Sequence, residues 1–102
     1  MKILVEKKED AIRYAIEGKV DERCAEILKE KFRSTYKESL KKVVFDFKNV
    51  THIGSAGIGK LLLFYKDVAI NDGTIVIEHI SPVIYDLFAT LKLDTVFSLK
   101  KA

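Results

Sequence analysis

The 102-residue chain predicts a single α/β domain over residues 1–102, a mixed β-sheet covered by helices in the order β-β-α-β-α-β-α-β. Three observations carry that expectation. Two β-rich runs stand back to back across a charged turn at the amino terminus, and three later segments repeat apolar residues at helical spacing between start and stop signals. Between the first two of those segments lies a nearly unbroken apolar run.

Taken in order, "KILVE" and "AIRYAIEG" are rich in β-branched and aromatic residues, and "KKED" between them marks a hairpin. Asp21 then precedes a segment in which Cys24, Leu28, Phe32 and Tyr36 recur every fourth residue with Ile27 alongside, so Asp21 is the expected N-cap of a first helix. "VVFDF", Val43 to Phe47, has the continuous apolar character of a strand covered on both faces and is placed at the centre of the sheet. From Ile58, residues Leu61, Leu62, Tyr65, Val68 and Ala69 give a second helical stripe, ended by the stop signal Asn71, Asp72 and Gly73. "TIVIEHI" is the next strand. Ser81 and Pro82 supply an N-cap and a first-turn proline for a third helix with the stripe Val83, Ile84, Leu87, Phe88 and Leu91, and "TVFSL" is the last strand.

Composition narrows the function. An apolar fraction of 48% with 32% charged residues is that of a globular domain, and a net charge of +3 with lysines interspersed among acids leaves no basic footprint for nucleic acid. No run approaches the ~20 apolar residues of a membrane span, and the amino terminus is too weakly apolar for a signal peptide. These features point to a cytoplasmic protein without membrane insertion. Cys24, the lone cysteine, reads as a small core residue, and no Cys/His group has zinc-ligand spacing, so no metal or other cofactor is expected.

The stretch "HIGSAGIGKLLLF", His52 to Phe64, carries the chemistry. Gly54 to Lys60 nearly spells the nucleotide-binding P-loop, but Leu61 occupies the position of the hydroxyl that would hold Mg²⁺, and six residues separate "VVFDF" from Gly54. Nucleotide hydrolysis is therefore disfavoured. What remains is a serine at a strand-to-helix turn, bared by Gly54, Ala56, Gly57 and Gly59. A phosphate on Ser55 would sit by free helix amides and leave the fold intact, while its added charge would be felt at an interface. The plainer local reading makes Ser55 only the helix N-cap.

Together, "GKVDERCAEIL", "KKVVFDFKNVTHIGSAGIGKLLLFYK" and "ISPVIYDLFATLKLDTVF" resemble the STAS domain family, and within it the stand-alone bacterial anti-sigma-factor antagonists. The resemblance runs through most of the chain. It implies a small α/β fold and a switch that is not an enzyme. It also implies that the serine opening the second helix, here Ser55, is phosphorylated by an anti-sigma factor with serine kinase activity and restored by a serine phosphatase. Unphosphorylated antagonist binds the anti-sigma factor and frees the sigma factor; phosphorylated antagonist lets go. The contact surface implied here comprises Asp21, Gly54, Ser55, Ala56, Gly57 and Ile58. One departure stands out: the family usually carries an acidic residue before the serine, where this chain has Gly54.

Two other functions share this pattern. One is a module binding a small anion such as a nucleotide at the same helix terminus; the other is a constitutive scaffold or transporter-associated subunit in which Ser55 is a cap. His52 and His79 have no partner legible in sequence, Asp46 merely interrupts a strand, and no carboxylate pair or Ser/His/Asp set suggests an enzyme.

Overall fold

The amino-terminal hairpin is built as its residue types require. In a computed structural model that describes residues 2–102, β1 (Lys2–Lys8) and β2 (Ala11–Val20) pair antiparallel across a turn that holds Glu9 in the left-handed region at φ 58°. Ile12, Tyr14 and Ile16 alternate inward along β2 and are buried, with Ile3 and Val5 of β1 packed beside them.

The chain then alternates helix and strand: α1 (Glu22–Thr35), β3 (Lys42–Ile53), α2 (Ser55–Ile70), β4 (Thr74–Ile80), α3 (Pro82–Thr90) and β5 (Ser98–Lys101). The sheet order is β1-β2-β3-β4-β5, with every pair after the hairpin parallel, so β3 is central as expected. Because each new strand is added on the same side, crossovers of one hand deliver all three helices to one face. The side chains agree. On β3, Phe45 stacks on Phe64 of α2 at 5.9 Å, and Phe47, two residues on, meets Phe88 of α3 edge-on at 6.3 Å.

"VVFDF" is thus roofed by helices on one face only, which corrects the expectation of a strand covered on both. Its other face is open sheet carrying Arg13, Val44, Asp46, Val76 and Glu78. Val44 and Val76 are nonetheless buried, because the long side chains of Arg13, Lys42 and Glu78 lie around that face.

The helix boundaries follow their signals. Asp21 accepts the Cys24 amide at 2.9 Å, and Ser81 accepts that of Ile84, with Pro82 in the first turn of α3. At the end of α2, Asn71 is the C-cap, Asp72 takes φ 60°, and the Gly73 amide returns to the Val68 carbonyl at 2.9 Å.

The apolar stripes need correction. On α1 the buried residues are Ala25, Leu28 and Phe32; Cys24 is only half-buried and Ile27 is exposed, so Cys24 is not a core residue. On α2 they are Gly57, Leu61, Phe64 and Val68, while Leu62, Tyr65 and Ala69 face outward. Phe64 closes an aromatic stack with Phe32 at 4.2 Å, tying α1 to α2. On α3 only Ile84 and Phe88 are buried, and Val83, Leu87 and Leu91 are exposed. The last strand begins at Ser98, beyond the expected "TVFSL" start, because Lys92 turns left-handed at φ 59° and Leu93–Thr95 form a short 3₁₀ turn whose Leu93 enters the core.

Candidate functional site

The parallel pairing of β2 with β3 places Val20 opposite Ile53, so the residues that follow each strand emerge side by side at one end of the sheet. Those residues are Asp21 and Gly54, the N-caps of α1 and α2. The Gly54 amide donates to the Val20 carbonyl at 3.1 Å, which ties the two turns together.

Gly54, not Ser55, is the N-cap of α2, and no side chain caps this helix. Ser55 is its first residue and is exposed. The reading of Ser55 as the cap is therefore corrected: its hydroxyl sits one position too late in a helix whose first amides lack a side-chain acceptor. Gly54 has φ −97°, and a Cβ there would come no nearer than 4.0 Å to His52 Nε2 and the Val20 carbonyl, so neither strain nor crowding requires glycine there.

Gly57 is different. A methyl group at this position would lie 2.8 Å from both Ile53 Cγ1 and Val20 Cγ1, so its absence lets α2 begin directly on the ends of β2 and β3. Gly57 is buried, Ala56 and Ile58 are half-buried, and Ser55 crowns the turn. His52 is exposed, its ring reaching toward Gly54.

Electrostatics separate the site from a phosphate-gripping loop. Lys60, the residue the P-loop spelling would aim at phosphate, lies 3.5 Å from Glu26 on α1, and Glu26 also meets Lys29 at 3.3 Å. The Cys24 amide holds the Asp21 carboxyl below the usual carboxylate range. Asp21 therefore presents a negative charge beside the α2 terminus.

A second polar cluster was not legible in sequence. On the open face of the sheet, Arg13 bridges Asp46 at 2.8 Å and Glu78 at 2.5 Å, while His79 Nδ1 lies 2.9 Å from Asp46. A bulge in the β4–β5 pairing, with His79 at φ 55°, brings consecutive residues Glu78 and His79 onto this one cluster. Only the strand register reveals it. Arg13, Asp46 and Glu78 occupy same-facing positions on three strands that are distant in sequence. Asp46 is held below the usual range although burial alone would raise it; the Lys48 amide, His79 and Arg13 outweigh that cost. A shallow depression nearby, about 350 Å³, is lined by Lys8, Arg13, Lys42, Val44 and Glu78 among others and lies away from Ser55.

The STAS domain family model matches residues 2–102, and the chain belongs to that family. Among solved structures it is similar to an anti-sigma factor antagonist from Mycobacterium paratuberculosis, with TM-score 0.85 and 22% identity, covering 99% of this chain and 86% of the other. It is similar to the Bacillus cell fate determinant SpoIIAA in its phosphorylated form, with TM-score 0.79 and 16% identity over 99% of this chain and 91% of that one. A sulfate transporter family protein from Wolinella succinogenes has the same fold, with TM-score 0.76 and 16% identity over 89% of this chain and 76% of that one. No helix among the described residues is long and apolar enough to cross a membrane.

Proposed function

We propose that this protein is an anti-sigma-factor antagonist. Its unphosphorylated form binds an anti-sigma factor with serine kinase activity through the amino end of α2, and phosphorylation of Ser55 releases it. The observation that carries this reading is the exposed Ser55 at the first position of a helix without a side-chain cap, in a STAS fold. The contact surface is Ser55 with Gly54, Ala56 and Ile58 around it and Asp21 beside it; Gly57 seats the helix from beneath.

The chemistry of the switch follows from charge. Phosphate adds about −1.5 to −2 charges, which free amides and the helix dipole accept, so the isolated domain keeps its fold. Asp21 already supplies one negative charge beside the site, and a second concentrates like charge on any partner surface fitted to the unmodified turn. A serine phosphatase would restore binding. Gly54 leaves the acidic position before the serine empty, which removes repulsion against the incoming phosphate and leaves kinase recognition to neighbouring groups.

The test uses the anti-sigma kinase, ATP and the intact chain. A mass gain of one phosphate that disappears in Ser55→Ala supports the reading, and Ser55→Asp should weaken partner binding at least about tenfold, some 1.4 kcal/mol. Undiminished binding by Ser55→Asp, or modification elsewhere than Ser55, refutes it. The free amides of α2 favour a second reading, a small anionic ligand such as a nucleotide at the same terminus. A calorimetric titration with nucleotides that yields heat, with no kinase-dependent mass gain, would favour that reading instead.

A further inference from the structure

The two edges of the sheet differ. β5 is four residues long, "SLKK", with Lys101 turned over the Tyr85 ring at 4.3 Å; it is short, as edges protected from pairing tend to be. β1 is seven residues long, stands at the other end of the strand order, and has no strand on its outer side among the described residues. Its outer amides and carbonyls are an open template. Leu4, 59% exposed, is the third residue along it.

We propose that β1 pairs antiparallel with β1 of a second copy about a two-fold axis through Leu4, continuing the sheet from one protomer into its partner. The register is chosen by charge and by face. A two-fold axis perpendicular to the sheet keeps the helices of both copies on the same side, so opposed residues must share a face. Centred on Leu4, Lys2 meets the partner's Glu6 and Glu6 meets the partner's Lys2, with Leu4 against the partner's Leu4 between them. On the helix face, Ile3 meets the partner's Val5. Shifting the centre to Val5 sets Lys2 against the partner's Lys8, and shifting it to Glu6 sets Glu6 against the partner's Glu6 and Leu4 against the partner's Lys8. Centring on Ile3 places Leu4 against the partner's Lys2 and leaves Glu6 unpaired.

The hairpin register extends this match across the sheet. Lys2 lies opposite Glu17 and Glu6 opposite Arg13, so one row reads Glu17, Lys2, the partner's Glu6, the partner's Arg13, alternating in sign throughout. The central row reads Ala15, Leu4, the partner's Leu4, the partner's Ala15. On the helix side, the row Ile16, Ile3, the partner's Val5, the partner's Tyr14 is wholly apolar but for one hydroxyl. Strand-to-strand contact of this length is small, so the association is weak and concentration-dependent. It does not rest on the role of Ser55, which opens α2 beyond the end of β3 and is not on this edge.

Sedimentation velocity on the full chain, from roughly 10 μM to 1 mM, reads it directly. The expected result is a mass that climbs from 11.6 kDa toward twice that value, weakens with added salt, and is accompanied by slowed amide exchange along β1. Lys2→Glu, which sets like charge against the partner's Glu6, should raise the dissociation constant at least about tenfold. Leu4→Lys, on an exposed side chain, should abolish association while circular dichroism shows the fold unchanged, and it keeps the test decisive if charge reversal disturbs the hairpin. A single species of 11.6 kDa throughout, a dimer that survives Leu4→Lys, or association undiminished by Lys2→Glu would overturn the proposal.

Discussion

Gly57→Ala and Gly59→Ala, two positions apart in α2, should change stability in opposite directions. An alanine methyl at position 57 would stand 2.8 Å from Val20 Cγ1 and Ile53 Cγ1 and 3.2 Å from Ile53 Cδ1, where carbon atoms ordinarily approach to about 3.5–4.0 Å. Neither γ carbon is the free end of a flexible chain: Val20 and Ile53 are buried and opposed across β2 and β3. The overlap should therefore cost the upper part of the overpacking range, about 2–3 kcal/mol. Against this, replacing a helical glycine recovers at most about 1 kcal/mol of backbone entropy. The net loss is about 1–2 kcal/mol, or a fall in Tm of roughly 5–15 °C for a domain of this size. At Gly59 nothing lies within 4 Å of the added methyl, so only the entropy remains and Tm should rise by about 2–8 °C. Thermal unfolding followed by circular dichroism checks both. A Gly57→Ala protein as stable as the parent would show that α2 does not rest on these two side chains, and a destabilised Gly59→Ala would refute the argument from space alone.

Other outcomes follow from the same geometry. Phe64→Ala should cost about 3–5 kcal/mol, because it removes the ring stacked between Phe32 and Phe45, and urea denaturation should show most of the stability gone. Gly54→Asp places the missing acceptor at an unstrained N-cap and should stabilise α2 by a few tenths of a kcal/mol; a loss in Tm would contradict the uncrowded contacts at that position. The Asp46 carboxyl is held below its unfolded value, so the stability it contributes is full above the unfolded pKa and is lost as pH falls through the folded one. Asp46→Asn should accordingly lower stability at neutral pH and flatten the acid limb of a stability-versus-pH curve, and an unchanged limb would remove Asp46 from that role.

Much of the element order was legible because local signals act alone. Asp21 and Ser81 with Pro82 mark helix starts through a single hydrogen bond or a single ring, and the hairpin is written in residues close together. Which face of a helix turns inward was less legible where the segment is apolar almost all round. Along α2, Leu61, Leu62, Leu63, Phe64 and Tyr65 follow one another, so periodicity cannot select Leu61 and Phe64 over their neighbours. The cluster of Arg13, Asp46, Glu78 and His79 depends on register between strands far apart in sequence, and His79 reaches it only through a bulge. At the candidate site the exposed serine and the small residues around it were readable. The cap was assigned one residue late, since serine outranks glycine at N-caps and only the backbone shows where the helical turn begins.

The packing beneath Ser55 has a thermodynamic consequence. The turn is tied to Val20 by the Gly54 amide and pressed onto Val20 and Ile53 at Gly57, so it is braced on its inner side before any modification occurs. On the reading proposed for Ser55, a phosphate on the outer side would meet a turn already held from within, and the two forms of the chain would differ in surface chemistry more than in shape. A ligand shifts an equilibrium only through its differential affinity for two states; under that reading the states are covalent, and the difference would fall in the encounter with the partner. Such a switch would store its information in one bond and read it out as a binding constant, without first drawing on a conformational change in the free protein.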